Sequence, residues 1–260
     1  PITDDLVEAA REQGMHVLWG PLEEGKRKTA DHTEIVARFA HLLNARSPKR
    51  RSVAVTLGAT ATPMDDVRRL VNTSSGRTGW VVADDLYRHG HDVTCIAGLT
   101  TVEQPAWLPL VLRAETAPDM LAECHAVARD QLDAWVHVAA VLDYLITDPA
   151  EGKVASGSDG LQIDLAPGPK HIDALREACE GAVRIGFKLE TGIKQKELVR
   201  RAVAQVERAG MTAVIANRLE DLGDDTRPRG HLVDATGADF ALHTERDLVE
   251  AIRRLIERGS

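Results

Sequence analysis

Residues 53–79 read VAVTLGATATPMDDVRRLVNTSSGRTG: an apolar strand, a glycine-containing turn at Gly58, then small residues immediately ahead of a helical run. Trp80, Val81, Ala83, Leu86 and Tyr87 carry the helical spacing. The first N–H groups of a helix lack intrahelical partners and lie at the positive end of its dipole, so small residues there let a phosphate come close. A nucleotide is the visitor this arrangement suits. Residues 93–97, VTCIA, supply the next strand and complete a strand–turn–helix–strand unit. On composition alone Gly76 and Gly79 also suit packing glycines, because such a turn is less specific than a full dinucleotide fingerprint.

Ahead of this unit, residues 1–47 carry a helical pattern (Leu6, Ala9, Ala10), a short strand at 16–19 and a second helix (Ile35, Val36, Phe39, Leu42, Leu43). Pro48, Lys49, Arg50 and Arg51 form a basic joint, ordinarily a solvated linker. The expected organisation is an appendage over 1–47 and a main domain over 48–260. In that domain strands are expected at 53–56, 93–97, 108–112, 135–139, 183–189 and 213–216. Helices are expected from 76, over 120–127, around 172–178 and over 194–209. A hairpin-like pair at 231–234 and 240–243 and a helix from 245 close the chain. The alternation predicts an α/β, Rossmann-like, doubly wound and mostly parallel sheet with helices on both faces.

Ligands of such sheets collect at the carboxyl ends of the strands, and the unusual motifs fall there. They are Gly58, the block AAVLDY at 139–144, GFKLET at 186–191 and Asn217. Residues 147–160 form a long polar loop with one lysine, Lys153, read equally as a lid or a connection.

With 260 residues and 43% hydrophobic content, the chain can bury one sizeable core. Its net charge of −8, with acids and bases interspersed, argues against a nucleic-acid or membrane-surface binder. Anionic substrates then need local basic residues. Cys95, Cys124 and Cys179 are odd in number, far apart and set among apolar neighbours, so they read as reduced core thiols. No segment reaches membrane-spanning length and the N-terminus lacks an unbroken apolar run, so a cytoplasmic protein is expected.

Six blocks, VTLGAT, PMDDVR with NTSSGRTG, AAVLDY, GKVASGSDGLQI, GFKLET and VIANRLED, lie in one order between residues 53 and 258. Together they resemble the phosphopantothenoylcysteine synthetase (phosphopantothenate–cysteine ligase) family of coenzyme A biosynthesis. The segment from Leu6 to Leu43, with GMHVLWGPLEEGKRKTADHTEIVARFAHLL, resembles the tail of the flavin-dependent decarboxylase fused ahead of that domain in many bacteria. The decarboxylase body is absent from the sequence, so no flavin site is expected. The resemblance implies two steps: the carboxylate of 4′-phosphopantothenate attacks the α-phosphate of CTP or ATP to give an acyl nucleotidylate and pyrophosphate, and the amine of cysteine then displaces the monophosphate. Clustered anions at such a centre call for helix N-termini, a Lys or Arg and Mg²⁺. No metal ligands are assigned from the sequence.

Residue by residue, the resemblance makes Gly58, Ser74, Gly76 and Gly79 the nucleotide-phosphate turn. It makes Asn72 the neutral donor to the substrate carboxylate or the acyl carbonyl, where a helix cap is the plain alternative. Ala139, Ala140 and Asp143 become the substrate loop, otherwise a strand-end turn. Phe187 and Asn217 match positions contacting base and ribose, although an apolar residue ending a strand is ordinarily core. Lys153 becomes the loop lysine that closes over the intermediate, and Arg68 an arginine reaching across a homodimer interface to the substrate phosphate.

The sequence departs from the family at Thr73, Ala59 and Leu142, and Leu142 would narrow the substrate loop. The lid and GFKLET blocks look closer to eukaryotic and free-standing forms, which leaves CTP and ATP both open. A dehydrogenase is the first rival, but no Gly-x-Gly-x-x-Gly follows Thr56 and Tyr144 is followed by Leu145, Ile146 and Thr147 rather than a Tyr-x-x-x-Lys pair. A paralogue that ligates another acid and amine, or a non-catalytic binding homologue, is the second. Retention of Asn72, Asp143 and Lys153 together argues against a purely structural role.

Overall fold

A computed structural model describes residues 2–18, 20, 22–155, 157, 160–224 and 226–259. In chain order the elements are α1 (Ile2–Glu12), β1 (Leu22–Glu23), β2 (Lys26–Arg27), α2 (His32–Asn44), β3 (Ser52–Leu57), β4 (Ala61–Pro63), β5 (Arg69–Val71), α3 (Arg77–Arg88), β6 (Asp92–Ala97) and β7 (Leu110–Arg113). They continue with α4 (Ala117–Ala128), β8 (Ala134–His137), β9 (Tyr144–Ile146), β10 (Leu165–Pro167), α5 (His171–Ala174), β11 (Val183–Glu190), α6 (Gln195–Ala209), β12 (Ala213–Arg218), β13 (Gly230–Asp234), β14 (Asp239–Leu242) and α7 (Glu245–Arg258). Eight strands form one sheet in the order β14-β13-β12-β11-β8-β3-β6-β7. The pairs from β7 through β12 are parallel, and β13 and β14 add an antiparallel edge. The six parallel strands run in the doubly wound order, with the reversal between β3 and β8.

Helices cover both faces because the parallel strands are apolar on both. On one face Val53, Val55, Leu57, Val93, Val136 and Ile185 pack with α3 and α7. On the other, Ala54, Ile96 and Trp135 pack with Met120 and Cys124 of α4, while Val214 and Ala216 pack with Leu198, Ala202 and Val206 of α6. All three cysteines are free and buried. Burial pushes their thiols up, Cys95 and Cys124 to about 12 and Cys179 to about 11. No helix among the described residues is long and apolar enough to cross a membrane.

The N-terminal residues pack on the main sheet layer through α2. His41 stacks on Tyr87 with ring centroids 4.1 Å apart, and the Asn44 amide donates to the Arg88 carbonyl at 2.8 Å. The strand expected at 16–19 does not form over His16, Val17 and Leu18, and Trp19 lies outside the described residues. A two-stranded hairpin forms just beyond it. Glu24 and Gly25 both have positive φ, 49° and 75°, which is the two-residue turn that pairs Leu22 with Arg27.

The helix expected around 172–178 is regular only over His171–Ala174. Two short hairpins that the pattern did not indicate, β4–β5 and β9–β10, stand above the sheet and touch where the Ile146 N–H donates to the Thr62 hydroxyl at 3.2 Å.

Candidate functional site

The site begins where β3 runs out. Gly58 takes φ +78°, and a Cβ there would lie 2.7 Å from the Leu99 carbonyl oxygen, so the turn requires glycine. Beyond it the backbone stays paired: Ala140 N–H donates to the Gly58 carbonyl at 2.8 Å and Thr60 N–H to the Ala140 carbonyl at 3.1 Å. These bonds fix the loop after β8 to the turn after β3, at the point where the strand order reverses. The Asn72 amide adds a third tie, donating to the same Ala140 carbonyl at 3.0 Å. One amide hydrogen and the amide oxygen of Asn72 retain further bonding capacity.

Helix α3 opens on Gly76, in the left-handed region with φ 79°. That N-cap has no side chain to accept from the first turn, whereas α2, α4 and α7 are capped by the side chains of Asp31, Thr116 and Thr244. The Ser75 hydroxyl accepts from the Arg77 N–H at 3.3 Å, and the turn faces a cleft of about 930 Å³ over the carboxyl ends of the strands. Gly79 belongs to the first turn of α3 rather than to the loop before it, and a Cβ there would lie 2.2 Å from that of Leu57. It lets the helix lie against β3, as a packing glycine does, while also lining the cleft.

Ten of the twelve residues singled out from the sequence line this one cleft: Gly58, Asn72, Ser74, Gly76, Gly79, Ala139, Ala140, Asp143, Phe187 and Asn217. Asp143, largely exposed, pairs with Lys170 at 3.2 Å. Phe187 and Asn217 lie towards the carboxyl ends of β11 and β12. Lys153 and Arg68 are not among the lining residues. Arg68 forms an ion pair with Asp65 at 3.1 Å and donates to the Val154 carbonyl at 2.5 Å, which draws the Lys153 loop onto the turn between β4 and β5.

Asp65 also accepts from the N–H groups of Val67 at 2.9 Å, Arg68 at 2.7 Å and Val154 at 3.1 Å. Burial pushes its carboxyl up, but those bonds and the Arg68 charge outweigh it, and its pKa lies below the usual carboxylate range. Within 147–160, residues 156, 158 and 159 lie outside the described residues.

The cleft also holds cations that the sequence reading did not nominate. Arg77 stands in the first turn of α3 and Arg229 just ahead of β13. Both reach Glu245, at 3.4 and 3.5 Å, and Arg229 donates to Thr78 at 3.5 Å. Arg77 was visible inside NTSSGRTG, whereas Arg229 has no local signal because α7 brings its partner. Asp143 is the one carboxylate among the cleft-lining residues, and no group of three or more His, Cys, Asp or Glu among the described residues forms a metal cluster. That fits Mg²⁺ carried by a polyphosphate, which needs one or two protein carboxylates and keeps its waters.

The chain is similar to known proteins. Residues 49–257 match the family model of the DNA/pantothenate metabolism flavoprotein C-terminal domain. The chain belongs to this family. It is 34% identical over 99% of its length to the coenzyme A biosynthesis bifunctional protein CoaBC of Thermococcus kodakarensis, and spans 64% of that relative's length. The DNA/pantothenate metabolism flavoprotein of Streptococcus pneumoniae superposes with a TM-score of 0.72 at 21% identity, covering 80% of this chain and 99% of that one. A Cab2 mutant in complex with phosphopantothenate-cysteine superposes with a TM-score of 0.62 at 20% identity, covering 92% of this chain and 94% of that one. These two superpositions establish the shared fold.

Proposed function

We propose that the chain is a phosphopantothenate–cysteine ligase of coenzyme A biosynthesis. The observation that carries this reading is the convergence of ten motif residues, drawn from five separate blocks of a family member, on a single cleft beside the N-terminus of α3. A carboxylate is a poor acyl donor until one of its oxygens becomes a good leaving group. The 4′-phosphopantothenate carboxylate attacks the α-phosphorus of CTP or ATP, the bond to the bridging oxygen breaks, and pyrophosphate leaves with the electron pair. The cysteine amine then attacks the acyl carbon. The amide C–N bond forms, the monophosphate departs, and the amine loses a proton.

In this reading the first turn of α3 with Gly58, Ser74, Gly76 and Gly79 receives the nucleotide phosphates, and Phe187 and Asn217 hold base and ribose. Ala139 and Ala140 let the pantetheine chain approach the backbone, and Asp143 accepts from its hydroxyl or amide. Asn72, a neutral donor, orients the carboxylate or acyl carbonyl without repelling the nucleotide. Lys153 closes over the reacting centre. A Mg²⁺ ion carried on the triphosphate would neutralise charge there.

Arg68 reaches the substrate phosphate of a second subunit in a homodimer, so its bond to Val154 joins lid and interface. Residues 1–47 form an appendage to a ligase domain over 48–260, in a cytoplasmic protein. Incubation with 4′-phosphopantothenate, cysteine, Mg²⁺ and each triphosphate in turn tests the reading. It predicts pyrophosphate and a nucleoside monophosphate; a nucleoside diphosphate would overturn the mechanism.

A further inference from the structure

The cleft is lined from both faces of the sheet and so divides into two lobes. The first runs along α3 and α7, where Phe187, Ile215 and Leu248 line it. The second dips to the opposite face of the sheet, between β8 and α4, where Cys124, Leu175, Ile172, His137 and His171 line it. Two buried polar atoms of its lining residues have no partner, Nε2 of His137 and Nε2 of His171, in residues each 6% exposed, and Nε of the buried Arg184 behind the floor has none either. Leaving such an atom buried and unpaired costs free energy that a ligand can recover.

The chemistry of His171 says what kind of ligand. Burial lowers its pKa, while a backbone hydrogen bond with Ala117 raises it. A bond that favours the protonated ring is one in which a ring N–H donates to the carbonyl, so in the neutral ring the other nitrogen, Nε2, is the acceptor. His137 is neutral as well: burial, then the charges of Arg184 and His171, lower its pKa to about 3. Its ring stacks at 5.8 Å on Trp135. Arg184 fixes the floor by donating to the carbonyls of Ala209 at 2.5 Å and Ile172 at 2.7 Å.

An acceptor nitrogen set among Cys124, Leu175 and Ile172 offers a carboxylate no donor, and these apolar neighbours cannot offset the desolvation of an ammonium. A thiol, apolar in bulk with a weak S–H donor, fits both features. We propose that the second lobe is the subsite for the side chain of cysteine, with His171 Nε2 accepting from the thiol. The inference rests on the ligase reading and adds the residue that selects the amine substrate. His137 closes the floor against larger side chains.

The experiment compares cysteine with 2-aminobutyrate, which has a methyl group in place of the thiol, as acceptors in the second step. For His171→Phe the preference for cysteine, as a ratio of kcat/KM, falls about tenfold, while pyrophosphate release in the first step is unchanged. His171→Gln, which restores an acceptor, recovers most of the preference. An unchanged ratio in both variants overturns the proposal. Ring ¹⁵N spectra of the wild-type protein provide a reading independent of either variant's folding. Cysteine shifts the His171 Nε2 resonance and 2-aminobutyrate leaves it in place; equal responses to the two overturn the proposal. Wild-type protein that releases no pyrophosphate with any triphosphate removes the ligase reading itself, a failure distinct from a flat specificity ratio.

Discussion

Arg68 donates to the carbonyl of Val154, 86 residues further along the chain and next to Lys153. Asp65 completes the clamp by accepting from the Val154 N–H and from Arg68. A polar loop is thereby docked by a buried carboxylate at Val154, while its earlier residues are held separately: the Gly152 N–H donates to the Asp66 carboxylate at 3.1 Å, the Asp66 N–H to the Gly152 carbonyl at 3.3 Å and the Ala150 N–H to the Met64 carbonyl at 3.0 Å. Asp65→Ala is expected to loosen the loop beyond Gly152, and limited proteolysis between residues 153 and 160 should accelerate about tenfold with little change elsewhere. Unchanged cleavage would mean that the loop is held by other contacts.

The same clamp has a pH dependence of definite sign. The folded pKa of Asp65 lies below its unfolded value, so its contribution is fully present above the unfolded carboxylate pKa of about 4. It is lost as pH falls through the lower folded value. Loop protection should persist at neutral and mildly acidic pH and fail only on stronger acidification. In Asp65→Asn that acid-dependent loss should disappear.

Gly79→Ala tests the contact between α3 and β3. The added Cβ would overlap the Leu57 side chain at 2.2 Å, and forcing a carbon into a packed interior costs about 1–3 kcal/mol. Urea unfolding should show a loss in that range. Stability equal to wild type would show that α3 can slide along β3 without penalty.

Asn72→Asp replaces the donor to the Ala140 carbonyl with a carboxylate, in a cleft proposed to hold several anions. Pyrophosphate release should fall on the order of a hundredfold or more, comparable with loss of one preorganised donor. Near-normal release would reduce Asn72 to a structural tie of the loop after β8.

Lys153→Gln should leave nucleotide binding intact while turnover falls on the order of a hundredfold, since a closing lid acts on the reacting centre rather than on ground-state affinity. Binding by calorimetry and turnover by monophosphate release separate the two. Unchanged turnover would leave residues 147–160 as a connector.

The parallel core was legible because VAVTL, VTCIA and the run at 183–189 are apolar strands separated by helical periods, a signal that survives without any tertiary information. The hairpins β4–β5 and β9–β10 were not. Each of their strands is three residues long and partly exposed, so neither alternation nor an apolar run develops. The turn at Gly58 and the small residues ahead of α3 marked a candidate site in their own sequence, and they line the cleft. The tie from Asn72 to Ala140 spans 68 residues, and spacing carries no trace of it. His137 and His171 went unremarked for the same reason. What makes them notable is that both are buried and line one cleft, although β8 and α5 are far apart in sequence.

The central claim is that this cleft activates a carboxylate as an acyl nucleotidylate before the amine arrives. A single-turnover experiment with 4′-phosphopantothenate, Mg²⁺ and α-labelled CTP or ATP, without cysteine, tests it most directly. The account predicts one equivalent of pyrophosphate and a labelled acyl nucleotidylate retained on the protein, which cysteine then discharges as labelled monophosphate and amide. Release of a labelled nucleoside diphosphate, or no label retained before cysteine is added with either triphosphate, would contradict it.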